Sequence, residues 1–196
     1  RNFGKMRIFG VGGARFDPEI ITSFHDLGFN IIQAYGMTET STVSTTAPQG
    51  VEGLGTVGLA LDGVEVKIDQ PDQQGIGEVL IRGVNIMQGY WKNPEATKEA
   101  IQDGWLHSGD LGRLTPTGLL EITGRTKDVI VLSSGKNIFP EEIEGAYERR
   151  CPFIKEMCVI GIEDASASQE QEILHAVIVP DFDHMKRQKV VNAGDM

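Results

Sequence analysis

The chain has 196 residues, 40% of them hydrophobic, which suffices for one domain or two small ones. Its 28 acidic and 18 basic residues give a net charge of −10, which argues against a nucleic-acid-binding surface, because phosphate contacts need clustered Lys and Arg. No apolar run has the length of a membrane span, and the first residues show no signal-peptide pattern. Two cysteines and four scattered histidines fit neither a redox motif nor a zinc site.

The first 50 residues predict a βαβ unit. Residues 6–11 indicate a buried strand and 29–34 a second one, with a helix between them that Asp17 can cap and Pro18 can begin. Strands joined by such a crossover run parallel. The loops that follow them therefore leave the carboxyl ends of two strands, where open α/β sheets bind ligands.

The second strand runs into the segment YGMTET at residues 35–40. Gly36 supplies a tight turn, the Thr38 hydroxyl can donate a hydrogen bond to a phosphate oxygen, and the Glu39 carboxylate can hold Mg²⁺. A Thr-Glu pair after a strand is, on its own, more often a plain turn. Two later segments decide between these interpretations.

From about residue 53 the pattern changes to short β runs interrupted by glycine, which predicts a small twisted barrel or sandwich. The expected elements are strands at 64–68, 77–83, 111–114 and 119–123, a helix at 93–101, and a hairpin turn at 115–118.

A second unit begins near Lys127 and is expected to be α+β with its end missing. Its predicted elements are a strand at 129–132, a helix at 140–150, strands at 156–162 and 173–180, and the start of a helix from Asp183.

Three segments in fixed order carry a resemblance to a known family. They are YGMTET at 35–40, GWLHSGDLG at 104–112, and the stretch 124–144 with GRTKD and SSGKNIFPEEIE. Together they resemble the adenylate-forming (AMP-binding) enzymes, which include acyl-CoA synthetases, adenylation domains and luciferases. The resemblance covers nearly the whole chain and is strongest to bacterial long-chain acyl-CoA synthetases.

The resemblance implies a division into two domains. Residues 1–126 would be the C-terminal part of the large nucleotide-binding domain, with the βαβ unit in 1–50 and a β-rich subdomain in 51–126. Residues 127–196 would be an incomplete small α+β domain, with a hinge near Asp128 that absorbs backbone rotation.

The resemblance also implies a two-step ligation in which a carboxylate and ATP form an acyl-adenylate, and the thiol of coenzyme A then displaces AMP. Thr38 and Glu39 would be the catalytic residues, with Glu39 as the Mg²⁺ ligand. The other implied nucleotide contacts are Gly12, Gly13, Ala14 and Tyr35 around adenine, Gly36 in the turn before Thr38, Asp110 at the ribose and Arg125 at the ribose or phosphate. Gly135 and Lys136 would lie along the pantetheine arm.

Each of these residues also has a plainer interpretation. Asp110 could cap a turn between glycines, Arg125 could lie on the surface, and Tyr35 could be a core aromatic at a strand end. The glycines after the first strand could form an ordinary tight turn, and the Gly135-Lys136 loop could simply connect two strands.

The chain also departs from the family pattern. The Ser/Thr/Gly-rich triphosphate loop would lie before residue 1, and the late catalytic Lys beyond Met196. We therefore expect a middle-to-C-terminal piece of a synthetase that is inactive alone and prone to self-association. Alternatives are an adenylation domain that loads a carrier-protein thiol, or a nucleotide-binding or interaction module without catalysis. The parent is expected in the cytoplasm, with or without peripheral membrane attachment, and its partners are small molecules.

Overall fold

A computed structural model describes residues 4–14, 16–50, 53–132, 136–163 and 172–189. The chain divides into two compact units, Arg1–Thr123 and Gly124–Met196. Within the described ranges, no helix is both long and apolar enough to cross a membrane.

The first unit opens with β1 (Phe9–Val11), α1 (Pro18–Asp26) and β2 (Ile31–Gly36). The two strands pair in parallel, which confirms the predicted βαβ unit. The carboxylate of Asp17 accepts a hydrogen bond from the Glu19 N–H at 2.8 Å, so α1 begins where its cap and its proline predicted.

Two further strands that the sequence did not predict extend this sheet. They are β3 (Val43–Thr46) and β4 (Leu59–Ala60), both antiparallel, and the sheet order is β1-β2-β3-β4. The hydroxyl of Thr45 is buried in β3 and donates to the Val57 carbonyl at 2.7 Å. The sequence did not predict β3, because its buried residues carry hydroxyl groups and the alternation of apolar residues typical of a strand is missing.

The second sheet of this unit is antiparallel and follows the order β5-β6-β8-β7, with β9 also paired to β8. Its core contains Val79, Ile81 and Leu120. Its elements are β5 (Val64–Asp69), β6 (Gly77–Gly83), α2 (Pro94–Ala100), β7 (Ile101–Gln102), β8 (Trp105–Leu114) and β9 (Leu120–Arg125).

The β-rich region predicted from residue 53 onward is present as this second sheet, and its closure into a barrel or sandwich stays a prediction. No pairing among the strands that the structure describes closes a barrel, and a bridge between Gly58 and Leu120 links the sheets instead. The helix predicted through Ile101 ends at Ala100, because Ile101 pairs with Leu106 in β7.

The second unit is α+β in its described part. After a 3₁₀ turn, Thr126–Asp128, it contains β10 (Ile130–Val131), β11 (Asn137–Ile138), α3 (Pro140–Arg150), β12 (Ile154–Glu163), β13 (Glu172–Pro180) and α4 (Phe182–Arg187). Both strand pairs, β10 with β11 and β12 with β13, are antiparallel. The span of α3 is the predicted one.

Helix α3 covers backbone donors of β12. The Glu144 carboxylate accepts from the Val159 N–H at 2.7 Å, and the Glu148 carboxylate from the Met157 N–H at 3.1 Å. These N–H groups belong to residues of the same parity, so they point to the same edge of the strand. The helix side chains therefore satisfy donors that a neighbouring strand would otherwise take.

Candidate nucleotide-binding site

The loop after β1 lies directly against the end of β2. A Cβ added to Gly12 would come within 2.8 Å of the Ala34 carbonyl oxygen, and Gly13 has φ +84°. Both positions favour glycine, the first for close approach and the second for backbone conformation. Ala14 follows as an exposed residue. The parallel pairing thus brings the predicted glycine loop beside the predicted Thr-Glu turn.

The Thr-Glu turn is fixed by a buried hydroxyl. Thr40 is fully buried, and its Oγ1 accepts from the Met37 N–H at 3.0 Å and lies 2.7 Å from the Thr42 carbonyl. The turn leaves Thr38 exposed and Glu39 half-buried. Both predicted catalytic side chains therefore project from a turn whose backbone is hydrogen-bonded to the buried Thr40 hydroxyl.

Residues 85–90, which the sequence analysis did not assign to the site, lie across this turn. The Ser41 hydroxyl donates to the Asn85 carbonyl at 2.9 Å, and the Met87 N–H donates to the Glu39 carbonyl at 2.8 Å. The Tyr90 hydroxyl donates to Glu39 Oε1 at 2.8 Å. This bond raises the pKa of Tyr90, because it stabilises the neutral phenol beside a carboxylate.

Tyr35 and Asp110 meet although they are 75 positions apart. The Tyr35 hydroxyl donates to Asp110 Oδ2 at 2.6 Å, and Asp110 is only 8% exposed. Tyr35 also packs against the core around Val79. The core interpretation of Tyr35 is thus confirmed, while its part in binding adenine stays a prediction.

Asp110 lies in a β-bulge. Glu78 pairs with Leu111 and Leu80 with His107, so one residue of β6 faces three residues of β8. The three are Ser108, Gly109 and Asp110, and Gly109 has φ +72°. Bulges re-aim side chains and are frequent beside active sites. The plainer interpretation of Asp110 as a turn cap is replaced by this geometry.

Side chains hold the bulge where the strand ladder is interrupted. The Ser108 hydroxyl donates to the Val79 carbonyl at 2.6 Å and accepts from the Asp110 N–H at 3.0 Å. Glu78 Oε1 accepts from the Gly109 N–H at 3.0 Å, and Glu78 Oε2 lies 2.8 Å from His107 Nδ1. Sequence reasoning missed Glu78, since a strand Glu carries no signal of its own.

The remaining predicted residues belong to the second unit. Arg125 ends β9, and Asp128 ends the 3₁₀ turn; both are exposed. Lys136 is exposed, and its carbonyl accepts from the Leu132 N–H at 3.0 Å. Gly135 lies outside the described residues. The ribose, hinge and pantetheine roles of these residues stay predictions.

Glu39 is the candidate Mg²⁺ ligand that the sequence predicts. The described ranges contain no group of three or more His, Cys, Asp and Glu side chains that could hold a metal ion. Mg²⁺ that arrives with a nucleotide is bound through one or two carboxylates plus substrate phosphates. The half-buried carboxylate of Glu39, anchored by Tyr90, fits that mode.

A family model described as AMP-binding enzyme matches residues 1–91. The chain is 40% identical over 156 residues to a long-chain-fatty-acid–CoA ligase of Drosophila melanogaster, covering 79% of this chain and 23% of that protein. It is 32% identical over 186 residues to a feruloyl-CoA synthase of an Amycolatopsis species, covering 91% of this chain and 37% of that protein.

Solved structures agree with these relatives. One is o-succinylbenzoate coenzyme A synthetase (MenE) from Bacillus subtilis with ATP and magnesium, at TM-score 0.78 and 32% identity, covering 89% of this chain and 37% of that one. Another is ATP-bound MatB from Rhodopseudomonas palustris, at TM-score 0.81 and 32% identity, covering 98% and 38%. The chain belongs to the AMP-binding, adenylate-forming enzyme family, and its α/β fold is that of these enzymes.

Proposed function

We propose that the full-length protein carrying this sequence is an ATP-dependent acyl-CoA ligase. In the first step a substrate carboxylate oxygen attacks the α-phosphorus of ATP, and pyrophosphate leaves. In the second step the coenzyme A sulfur attacks the acyl carbonyl carbon, and AMP leaves with the electron pair of the broken C–O bond. The observation that carries the proposal is the hydrogen bond from Tyr35 to Asp110, which joins two of the family's segments at one point.

In this proposal, different residues of the chain contact different parts of the nucleotide. Asp110 accepts hydrogen bonds from the ribose hydroxyls, Tyr35 lies beside the adenine with the glycine loop at residues 12–14, and Thr38 donates to the α-phosphate. Bound Mg²⁺ would be held by Glu39 and would neutralise phosphate charge. No side-chain nucleophile is needed, because positioning and electrostatic stabilisation can supply the rate.

We assign an apolar carboxylic acid, most specifically a fatty acid, as the substrate. The assignment is supported by relatives named long-chain-fatty-acid–CoA ligases, at 40% and 38% identity. Relatives named for aromatic acids also match, at 32% identity. The chemistry common to both is a carboxylate on an apolar body.

We place the thiol step with the second unit. Asp128 is the proposed hinge, Arg125 the proposed ribose or phosphate contact, and Gly135 with Lys136 the proposed contact for the pantetheine arm. A cytoplasmic location stays a prediction from sequence. The chain spans 23% to 37% of the length of the two relatives described above, and we propose that these 196 residues alone bind AMP weakly and turn over no acid.

One assay tests the proposal. The full-length protein and the 196-residue chain are each given ATP, Mg²⁺ and a panel of fatty and aromatic acids, with and without coenzyme A, and pyrophosphate release is measured. We expect acid-dependent release and a coenzyme A thioester from the full-length protein only. Release without thioester would favour a carrier-protein acceptor, and no release with any acid would favour a module without catalysis. Turnover by the 196-residue chain would contradict its assignment as incomplete.

A further inference from the structure

Glu78 occupies an unusual place in its strand. It follows Gly77 in β6, and the next residue, Val79, is fully buried in the core. Because side chains alternate along a strand, Glu78 projects to the face opposite Val79. It is only half-buried there, with a quarter of its side chain exposed. Solubility alone does not explain why its carboxylate contacts both a backbone N–H and a histidine.

The two oxygens of Glu78 have separate tasks. One accepts from the Gly109 N–H at the centre of the bulge, and the other lies 2.8 Å from Nδ1 of His107, the residue just before the bulge. A backbone N–H that donates to a carboxylate makes a charge-assisted bond, which is stronger than the neutral ladder bond that the bulge removes. Glu78 therefore stabilises the bulged conformation against ordinary strand pairing.

The bulge determines where Asp110 points. An ordinary antiparallel register would place one residue of β8 opposite Val79, whereas the bulge places three there and includes Gly109 at φ +72°. Because such an irregularity bends the strand, it re-aims the side chain of the neighbouring Asp110. Its present orientation lets it accept from Tyr35 at 2.6 Å. The carboxylate of Asp110 is thus aimed by contacts made on the opposite face of the sheet.

We infer that Glu78, with His107, is a positioning residue for nucleotide binding, which sets the conformation of the Ser108–Asp110 bulge and so the ribose-binding carboxylate of Asp110. The inference rests on the proposed function, in which Asp110 accepts the ribose hydroxyls. Glu78 touches no substrate in this scheme. Its effect should therefore appear only with ligands that carry those hydroxyls.

The test compares AMP with 2′,3′-dideoxy-AMP by calorimetry on the full-length protein. Glu78→Ala is expected to weaken AMP binding about tenfold, the scale of one charged hydrogen bond, and to leave dideoxy-AMP binding unchanged. In an Asp110→Ala background the same change should have no further effect on AMP. Glu78→Gln keeps an acceptor for the Gly109 N–H, and its effect should be smaller, so it serves if the Ala variant does not fold.

Glu65→Gln is the matched control, since Glu65 lies on the neighbouring strand β5 and forms an exposed ion pair with Arg82. It should change neither affinity. If Glu78→Ala weakens both ligands equally, or neither, while Asp110→Ala abolishes the discrimination, the positioning role is wrong and the proposed function stands. If the wild-type protein does not distinguish the two ligands, the ribose role of Asp110 is wrong, and this inference is wrong with it.

Discussion

Glu39 is fixed through its backbone and its side chain together. The Met87 N–H donates to its carbonyl, and the Tyr90 hydroxyl donates to its carboxylate. An ionised carboxylate offers about four lone-pair sites, so one phenol donor leaves capacity for a cation. At the scale of single residues, the carboxylate of Glu39 is therefore oriented by a second side chain, that of Tyr90.

Glu39→Gln is expected to raise the Mg²⁺ concentration needed for half-maximal pyrophosphate release, because the amide keeps the size but loses the charge.

Tyr90→Phe removes only the hydroxyl that orients Glu39 and should raise this Mg²⁺ requirement about tenfold, as loss of a hydrogen-bond partner of a metal ligand does. Mg²⁺ titrations of activity and of ATP binding by calorimetry measure both effects. Tyr147→Phe, at an exposed tyrosine of α3, is the control. An unchanged Mg²⁺ curve for Glu39→Gln would make Glu39 a structural residue of the turn.

At the scale of elements, local sequence signals predicted the helices, whereas contacts between residues far apart in sequence were not predicted. The Asp17 cap and Pro18 located the start of α1, since these signals depend on residues close in sequence, and α3 has its predicted span. The contact of Tyr90 with Glu39 spans 51 positions, and that of His107 with Glu78 spans 29. Such pairs depend on which strands become neighbours. A single sequence contains little information about that choice.

The turn between β2 and β3 requires glycine for space. A Cβ on Gly36 would overlap the Thr42 carbonyl oxygen, whereas a Cβ on Gly10 in β1 would meet nothing within 4 Å. Gly36→Ala should therefore lower the free energy of unfolding by about 1–3 kcal/mol, as overpacking does. Gly10→Ala should stay within about 0.5 kcal/mol.

Urea unfolding followed by tryptophan fluorescence measures both variants, because Trp91 and Trp105 are the two tryptophans and both lie in the first unit. If Gly36→Ala and Gly10→Ala lower the free energy of unfolding equally, the close approach of the Thr42 carbonyl is not what requires glycine at position 36.

At the scale of the whole molecule, the division into units falls at Thr123 and Gly124, within β9. The proposed hinge residue, Asp128, lies a few positions further on in an exposed 3₁₀ turn. The sequence suggested the second unit through its change of pattern. It contains no signal for the proposed hinge motion, because a hinge needs backbone freedom and no particular side chain.

Asp128→Pro in the full-length protein should impair thioester formation more than adenylation, because proline fixes φ at the proposed pivot. Pyrophosphate exchange measures adenylation, and coenzyme A ester formation measures the second step. Asp128→Ala is the matched control and should preserve both steps, since it removes the side chain and leaves the backbone free. Equal loss of both steps in the proline variant would contradict a hinge at this position.

The carboxylates of Glu144 and Glu148 have a consequence beyond the stability of the second unit. A strand edge with free N–H groups is a template on which foreign strands add, and this addition begins cross-β aggregation. On β12 two of these donors already bond to negatively charged side chains. An incoming strand would have to displace both carboxylates and place its carbonyl oxygens beside them. Glu144 and Glu148 of α3 thus oppose the addition of a foreign strand to this edge of β12.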